Sequence, residues 1–96
     1  MADDQQHQQL HIIVHGRVQG VSFRFYTVGN ARQYDLTGWV RNLPNADVEV
    51  TAEGPRAQLE SLLAFLREGP PGGHVTQVDV EWRPATGAFD EFTVTY

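Results

Sequence analysis

The sequence predicts an α+β fold, a two-layer sandwich in which two helices cover an antiparallel sheet. Three observations carry that prediction. Apolar residues alternate with a period of two in several short runs, they recur at helical spacing in two longer stretches between those runs, and glycine- or proline-bearing breaks separate one from the next. With 96 residues the chain forms a single domain.

Residues 1–9 (MADDQQHQQ) are polar and glutamine-rich and read as a disordered tail ahead of a folded domain at 10–96. The first strand, LHIIVH, places Leu10, Ile12 and Val14 on one face. Two glycines four apart, Gly16 and Gly20, break it. From Ser22, a candidate N-cap, a helix follows with Phe23, Tyr26, Ala31 and Tyr34 approximating its buried stripe, and it ends near Asp35. Residues 38–43 (GWVRNL) then read as a strand and Pro44-Asn45-Ala46-Asp47 as a turn. Residues 47–53 alternate strictly, with Val48, Val50 and Ala52 inward and Glu49, Thr51 and Glu53 outward, so the two runs make a hairpin.

Gly54-Pro55 opens a second helix, with proline suited to a first turn, and Leu59, Leu62, Leu63 and Leu66 mark its buried face. Residues 69–73 (GPPGG) stop it. A further strand carries Val75, Val78, Val80 and Trp82, with a slip in alternation near Thr76-Gln77, and residues 92–96 form a short last strand. The order β-α-β-β-α-β plus a terminal strand packs naturally as a ferredoxin-like sandwich.

Composition excludes several chemistries. The chain holds no cysteine, so disulfides, thiolate metal sites and thiol nucleophiles are absent, in keeping with a reducing cytoplasm. No run approaches the ~20 apolar residues of a membrane span, and the start lacks a signal-peptide core. All seven basic residues are arginines, which removes Schiff-base and P-loop lysine chemistry. The formal charge of −5 argues against a general nucleic-acid binder. Yet Arg17, Arg24, Arg32 and Arg41 all fall between Gly16 and Asn42 against one acid, Asp35, so a basic segment lies within an acidic protein. Such a segment can hold a small anion while the whole repels a polyanion. Arginines that merely solvate a helix face are the plainer alternative, and it suits Arg32.

The stretch Gly16-Arg17-Val18-Gln19-Gly20-Val21-Ser22-Phe23-Arg24 lies between a strand and a helix. The N–H groups at a helix start have no intrahelical partners, so a glycine-bearing loop there can form an anion-binding concavity. Arg24 in the first turn can fold over it and offer two parallel N–H bonds to phosphate oxygens. Alone, the glycine pair also fits a tight turn with a solvated arginine. A second segment, Trp39-Val40-Arg41-Asn42, puts Asn42 on the side of Val40 and opposite Trp39 and Arg41. Asn42 could there meet the loop of a neighbouring strand, or simply cap the turn ahead of Pro44.

Together the two segments resemble the acylphosphatase signature Gly-x-Val-Gln-Gly-Val-x-Phe-Arg and that family's second block, Gly38-Trp39-Val40-Arg41-Asn42, over residues 10–96. The resemblance implies hydrolysis of an acyl phosphate to a carboxylate and inorganic phosphate, without metal or cofactor. It matches Arg24 to the phosphate-binding arginine, Asn42 to the water-positioning asparagine, and the main-chain amides of Gln19, Gly20, Val21, Ser22 and Phe23 to the phosphate cradle. The expected substrate is a small acyl phosphate, with inorganic phosphate or sulfate competing; a monomer is expected, and the charge and the lack of a membrane-length apolar run argue against nucleic acid and membrane as partners. Where the family often has Asp-Gly in the hairpin, this chain has Asn45-Ala46, which predicts a loop wider than two residues.

Such sparse machinery suits the reaction. A carboxylate leaving group, with a conjugate acid pKa near ~4, departs unprotonated, so no general acid is required. What remains is positioning and charge stabilisation. His11 and His15 share a face but stand roughly 13 Å apart along a strand, too far to chelate one metal. His7 in the tail and His74 in a loop read as solvated. Arg17 either supports the cradle or sits on its rim, Ser22 has no histidine–carboxylate partner for nucleophilic work, and Arg41 projects to the surface. The competing function is a ferredoxin-like module that binds RNA or a small anion without catalysis. Residues 47–53 carry carboxylates and no aromatic ring, which disfavours stacking of bases. A carbamoyl-phosphate-handling role for the same fold is the other alternative. No segment stands out as a selective acyl pocket, so the sequence does not name the physiological acyl phosphate.

Overall fold

A computed structural model of the chain describes residues 6–20 and 22–96. Its elements are β1 (His7–Arg17), α1 (Phe23–Gln33), β2 (Thr37–Asn42), β3 (Val48–Pro55), α2 (Arg56–Glu68), β4 (His74–Pro84) and β5 (Phe92–Val94). The strands form one sheet in the order β4-β1-β3-β2-β5, and the expected ferredoxin-like order of elements holds. Two expectations change. Residues 7–9, expected in a disordered tail, belong to the sheet, because β1 begins at His7 and Gln9 is buried opposite Glu53; the part of that expectation at residues 1–5 lies outside the described residues. Pairing on both edges of β1 satisfies its backbone, which lets polar side chains extend the strand.

Nor is the sheet wholly antiparallel. Thr37 is level with Glu53, Gln9 and Arg83 across the sheet, so β4 finishes at the same end of the sheet at which β2 begins. A chain that crosses the sheet at that end must then run alongside β2, and β5 pairs with it in parallel.

The core lies between the sheet and the helices. Leu10, Ile12 and Val14 of β1 meet Val48, Val50 and Ala52 of β3 in register, and Val40 of β2 joins them. Leu59, Leu62 and Leu66 of α2 are fully buried against that face, with Leu63 at its margin. On α1 the buried stripe runs Phe23, Thr27, Ala31 in steps of four, so the expected place of Tyr26 is taken by Thr27. Its hydroxyl donates to the Phe23 carbonyl at 2.9 Å, which makes burial of the threonine tolerable. Pro55 caps α2 rather than entering its first turn. The slip expected near Thr76-Gln77 is a register shift in the β1–β4 pairing between His15 and Gly16. Gly16 adopts φ 126 there, and a Cβ would collide with the His74 carbonyl oxygen. That irregularity turns the chain out of β1 and into the loop before α1. Among the described residues no helix is long and apolar enough to cross a membrane.

The crossing between β4 and β5 is anchored on a buried carboxylate. Glu53, expected to face solvent, accepts hydrogen bonds from Gln9 Nε2 (2.7 Å), the Thr86 N–H (2.9 Å), the Thr86 hydroxyl (2.8 Å) and the Gly87 N–H (3.0 Å). Burial pushes its pKa upward, but the bonds from Thr86, Gln9 and Gly87 outweigh that and hold it below the ordinary value of 4.5. The lowered pKa contributes stability that is present above pH 4.5 and is lost as the pH falls through the folded-state value. Glu53→Gln is therefore expected to cost about 1–3 kcal/mol in urea unfolding at pH 7. The gap from wild type should narrow in acid, where the wild-type carboxyl is itself protonated; a gap independent of pH would contradict this.

Candidate functional site

The loop from β1 into α1 is shaped by left-handed backbone. Gly20 adopts φ 78 and Ser22 φ 62, the latter unusual for a residue with a side chain. Ser22 occupies the N-cap position, but among the described residues its side chain makes no capping hydrogen bond, which corrects the expectation that it would. Only its carbonyl takes part, accepting the Tyr26 N–H at 3.0 Å. The first turn reads Phe23-Arg24-Phe25-Tyr26 and so carries no carboxylate. The N–H groups of Phe23, Arg24 and Phe25 precede the Tyr26 bond and have no intrahelical carbonyl to meet, and the helix dipole favours an anion there.

Asn42 is the last residue of β2, paired with Val48 and on the helix-facing side, as alternation predicted. The hairpin beyond it is wider than two residues, as expected. The Leu43 N–H donates to the Asp47 carbonyl (2.8 Å), the Ala46 N–H donates to the Leu43 carbonyl (3.1 Å), and Ala46 takes φ 79. This is a three-residue loop with alanine where glycine is usual.

One side chain joins the two segments. The Gln19 amide donates through Nε2 to the Leu43 carbonyl (3.0 Å) and the Asp47 carbonyl (2.8 Å), which fastens the loop to the base of the hairpin. The consequence is a single cavity of about 520 Å³ into which Gln19, Gly20, Ser22, Phe23, Arg24 and Asn42 all contribute. Val21 lies outside the described residues. Arg24 is half-buried, with its guanidinium carbon 5.6 Å from the centre of the Tyr96 ring. The Gln19 side-chain clamp and the Tyr96 contact were both missed by sequence reasoning. The only signal for the first was an amide side chain set next to a loop glycine.

The remaining candidates fall elsewhere. Arg17 is exposed at the end of β1 and is not among the residues lining the cavity. Arg41 lies on the opposite face of the sheet, bonded to Glu49 (2.7 Å) and stacked near Trp39. Arg32 does more than solvate a helix: its Nε donates to the Phe92 carbonyl at 3.1 Å and helps fix β5. His7 belongs to β1 rather than a tail, and His74 opens β4 at the surface. His11 and His15 contact different carboxylates, Glu49 for the first and Asp47 and Asp79 for the second. Among the described residues no cluster of His, Asp or Glu could hold a metal ion.

Comparison with known proteins gives a consistent result. The family model described as Acylphosphatase matches residues 10–94. An acylphosphatase of Methylococcus capsulatus is 47% identical over 87 residues, covering 91% of this chain and 95% of that protein. One from Salinibacter ruber is 51% identical over 79 residues, 82% of this chain and 83% of the relative. The crystal structure of the acylphosphatase from Bacillus subtilis superimposes with a TM-score of 0.89 at 37% identity, covering 93% and 99% of the two chains.

The hairpin that carries Asn42 is braced on the other face of the sheet. His15 Nε2 contacts Asp79 (2.7 Å) and its Nδ1 contacts Asp47 (2.8 Å), so one imidazole links β4 on one side of β1 to the β2–β3 hairpin on the other. The hydrogen bond to Asp79 is the largest influence; the two carboxylates outweigh desolvation and raise the pKa above 6.5. A raised histidine pKa contributes stability fully present below 6.5 and lost as the pH rises through the folded-state value. NMR titration is expected to place His15 above 6.5 and Asp79→Asn to bring it down. An unchanged midpoint in that variant would show that Asp79 is not the dominant partner.

Proposed function

The chain belongs to the acylphosphatase family, and from that premise we propose how its residues divide the reaction. The protein hydrolyses acyl phosphates, the mixed anhydrides of carboxylic and phosphoric acids, to a carboxylate and inorganic phosphate. In our reading the Arg24 guanidinium and the main-chain N–H groups of Gln19, Gly20, Val21, Ser22 and Phe23 hold the phosphoryl oxygens. Asn42 holds a water in line with the scissile P–O bond. Water adds to phosphorus as the bond to the acyl oxygen breaks, and the carboxylate leaves with the electron pair. The water's proton passes to a phosphoryl oxygen, giving dihydrogen phosphate without a protein base.

The observation that carries this reading is that Arg24, Asn42 and the described cradle residues line one cavity. Fixed N–H dipoles and a guanidinium stabilise the charge that spreads over the equatorial oxygens, at no reorganisation cost during the reaction. An asparagine amide is too weak a base to remove a proton, so orientation is what it can supply. We take the protein as a cytoplasmic monomer, a setting that the cysteine-free sequence suits. An RNA-binding role has no comparable support, since Arg41, His11 and His15 on the open sheet face already contact carboxylates.

An aromatic acyl phosphate should be hydrolysed without added metal and in the presence of chelator, with inorganic phosphate competing. Arg24→Ala is expected to weaken phosphate inhibition at least tenfold along with kcat/KM. Asn42→Ala should lower kcat by roughly 10²–10³-fold, in the range for loss of one preorganised donor, while phosphate still inhibits. Equal loss of turnover and phosphate binding in Asn42→Ala would overturn the division of roles.

A further inference from the structure

The cavity is larger than a phosphate group needs. At about 520 Å³ it falls within the roughly 300–1,000 Å³ of pockets that enclose whole small molecules. Its walls are also of two kinds. One is polar and holds the cradle with Arg24 and Asn42; the other is apolar and is built from Phe25, Val28, Val94 and Tyr96. Phe25 and Val28 are three apart on α1 and share a helix face. Val94 ends β5, which Arg32 ties to α1 through the Phe92 carbonyl, and the Thr95 N–H donates to the Val40 carbonyl at 2.9 Å. The apolar wall is therefore fixed to the same elements that carry Arg24 and Asn42.

Its exposure is unusual for this protein. Among the described residues the large hydrophobic side chains left open to solvent are Phe25 (75%), Tyr26 (42%) and Tyr96 (94%). Phe25 and Tyr96 line the cavity, and Tyr26 packs edge-on against Phe25 with ring centres 5.8 Å apart. Clustered exposed aromatics beside a cavity mark a binding surface, whereas single scattered ones do not. Phe25 contributes nothing to the core, and a polar residue would serve the first turn of α1 equally well.

We propose that this wall is the acyl subsite, and that it selects acyl phosphates whose acyl group is apolar or aromatic over those with a small or carboxylate-bearing acyl group. The proposal rests on the cradle reading above, since the phosphoryl group must sit by Arg24 for the acyl group to reach Phe25 and Tyr96. The leaving carboxylate departs on the side away from the Asn42-held water, and its substituent is laid against the rings. An aromatic acyl group gains contact with Phe25 and the edge of Tyr96. An acetyl group is too short to gain much, and a succinyl group brings a second carboxylate against an uncharged wall in an acidic protein.

The test compares kcat/KM for benzoyl, acetyl and succinyl phosphate in wild type, Phe25→Ala and Phe25→Leu, with the inhibition constant of inorganic phosphate measured in each. The substrates differ in intrinsic reactivity, so the readout is the change in their ratio on substitution. Phe25→Ala is expected to reduce the benzoyl-to-acetyl ratio roughly tenfold, the size of a lost apolar contact in a pocket, and Phe25→Leu to recover part of it. The benzoyl-to-succinyl ratio should fall in parallel, and the phosphate constant should change little. An unchanged ratio overturns the proposal, as does an equal loss for all three substrates together with phosphate, which would make Phe25 a support of the cradle. Failure of the cradle reading looks different: phosphate would not inhibit the wild type, whatever happened at Phe25.

Discussion

The site depends on one amide. By donating to the Leu43 and Asp47 carbonyls at once, the Gln19 side chain fixes the cradle loop to the hairpin that ends β2. Without that clamp, the loop that leads into Arg24 and the hairpin that follows Asn42 would be joined only through the body of the sheet. Two hydrogen bonds from one planar group constrain orientation as well as distance. Each would contribute only ~1 kcal/mol of net stability, so the effect on geometry outweighs that on folding energy. Because both acceptors are backbone carbonyls, the hairpin side chains are free to vary. Alanine stands at the left-handed position 46 without disturbing the clamp.

The two faces of the sheet perform separate tasks. The helix-facing side carries the apolar core and, at the ends of β1 and β2, the cavity. The open side carries ionisable groups arranged in pairs: Glu49 between His11 and Arg41, His15 between Asp47 and Asp79, and Glu53 beneath the β4–β5 crossing. Glu49 is held below its ordinary pKa, because the bonds from His11 and Arg41 outweigh the upward push of burial. These contacts consume most of the charge on that side, leaving Arg24 as the half-buried cation directed at a cavity. The more exposed of these contacts, such as His15 with Asp79, add little stability singly.

Legibility in the sequence followed the range over which each feature is encoded. The order of elements could be read because periodicity is local: Leu59, Leu62 and Leu66 on one helix face, and Val48, Val50 and Ala52 on one strand face. Arg24 and Asn42 stand inside contiguous motifs, and their segments were legible for the same reason. The parallel pairing of β5 was not, since its direction is set by where β4 ends relative to β2. Tyr26 and Thr27 were exchanged because a five-residue gap to Ala31 fits a stripe less well than steps of four, and propensity alone does not penalise a buried threonine with a local acceptor. The clamp at Gln19 and the apolar wall join residues far apart along the chain, and no window contains both halves of either.

The helix start shows how folding and function pull against each other. Ser22 is held in a left-handed conformation that costs about 1–2 kcal/mol, and its side chain does not cap α1, which forgoes about 1 kcal/mol more. A small domain with a total stability of ~5–15 kcal/mol can carry that burden only if the rest of the fold over-determines the loop. Here it does, through Val18 buried in the core beneath it, Gly16 turning against His74, and Gln19 fastened to the hairpin. A capped helix would be more stable, but the N–H of its second or third residue, Arg24 or Phe25, would be occupied by a serine oxygen. Left uncapped, that donor has no serine acceptor, and in the reading proposed above an anion at the helix start takes the place that the side chain declines.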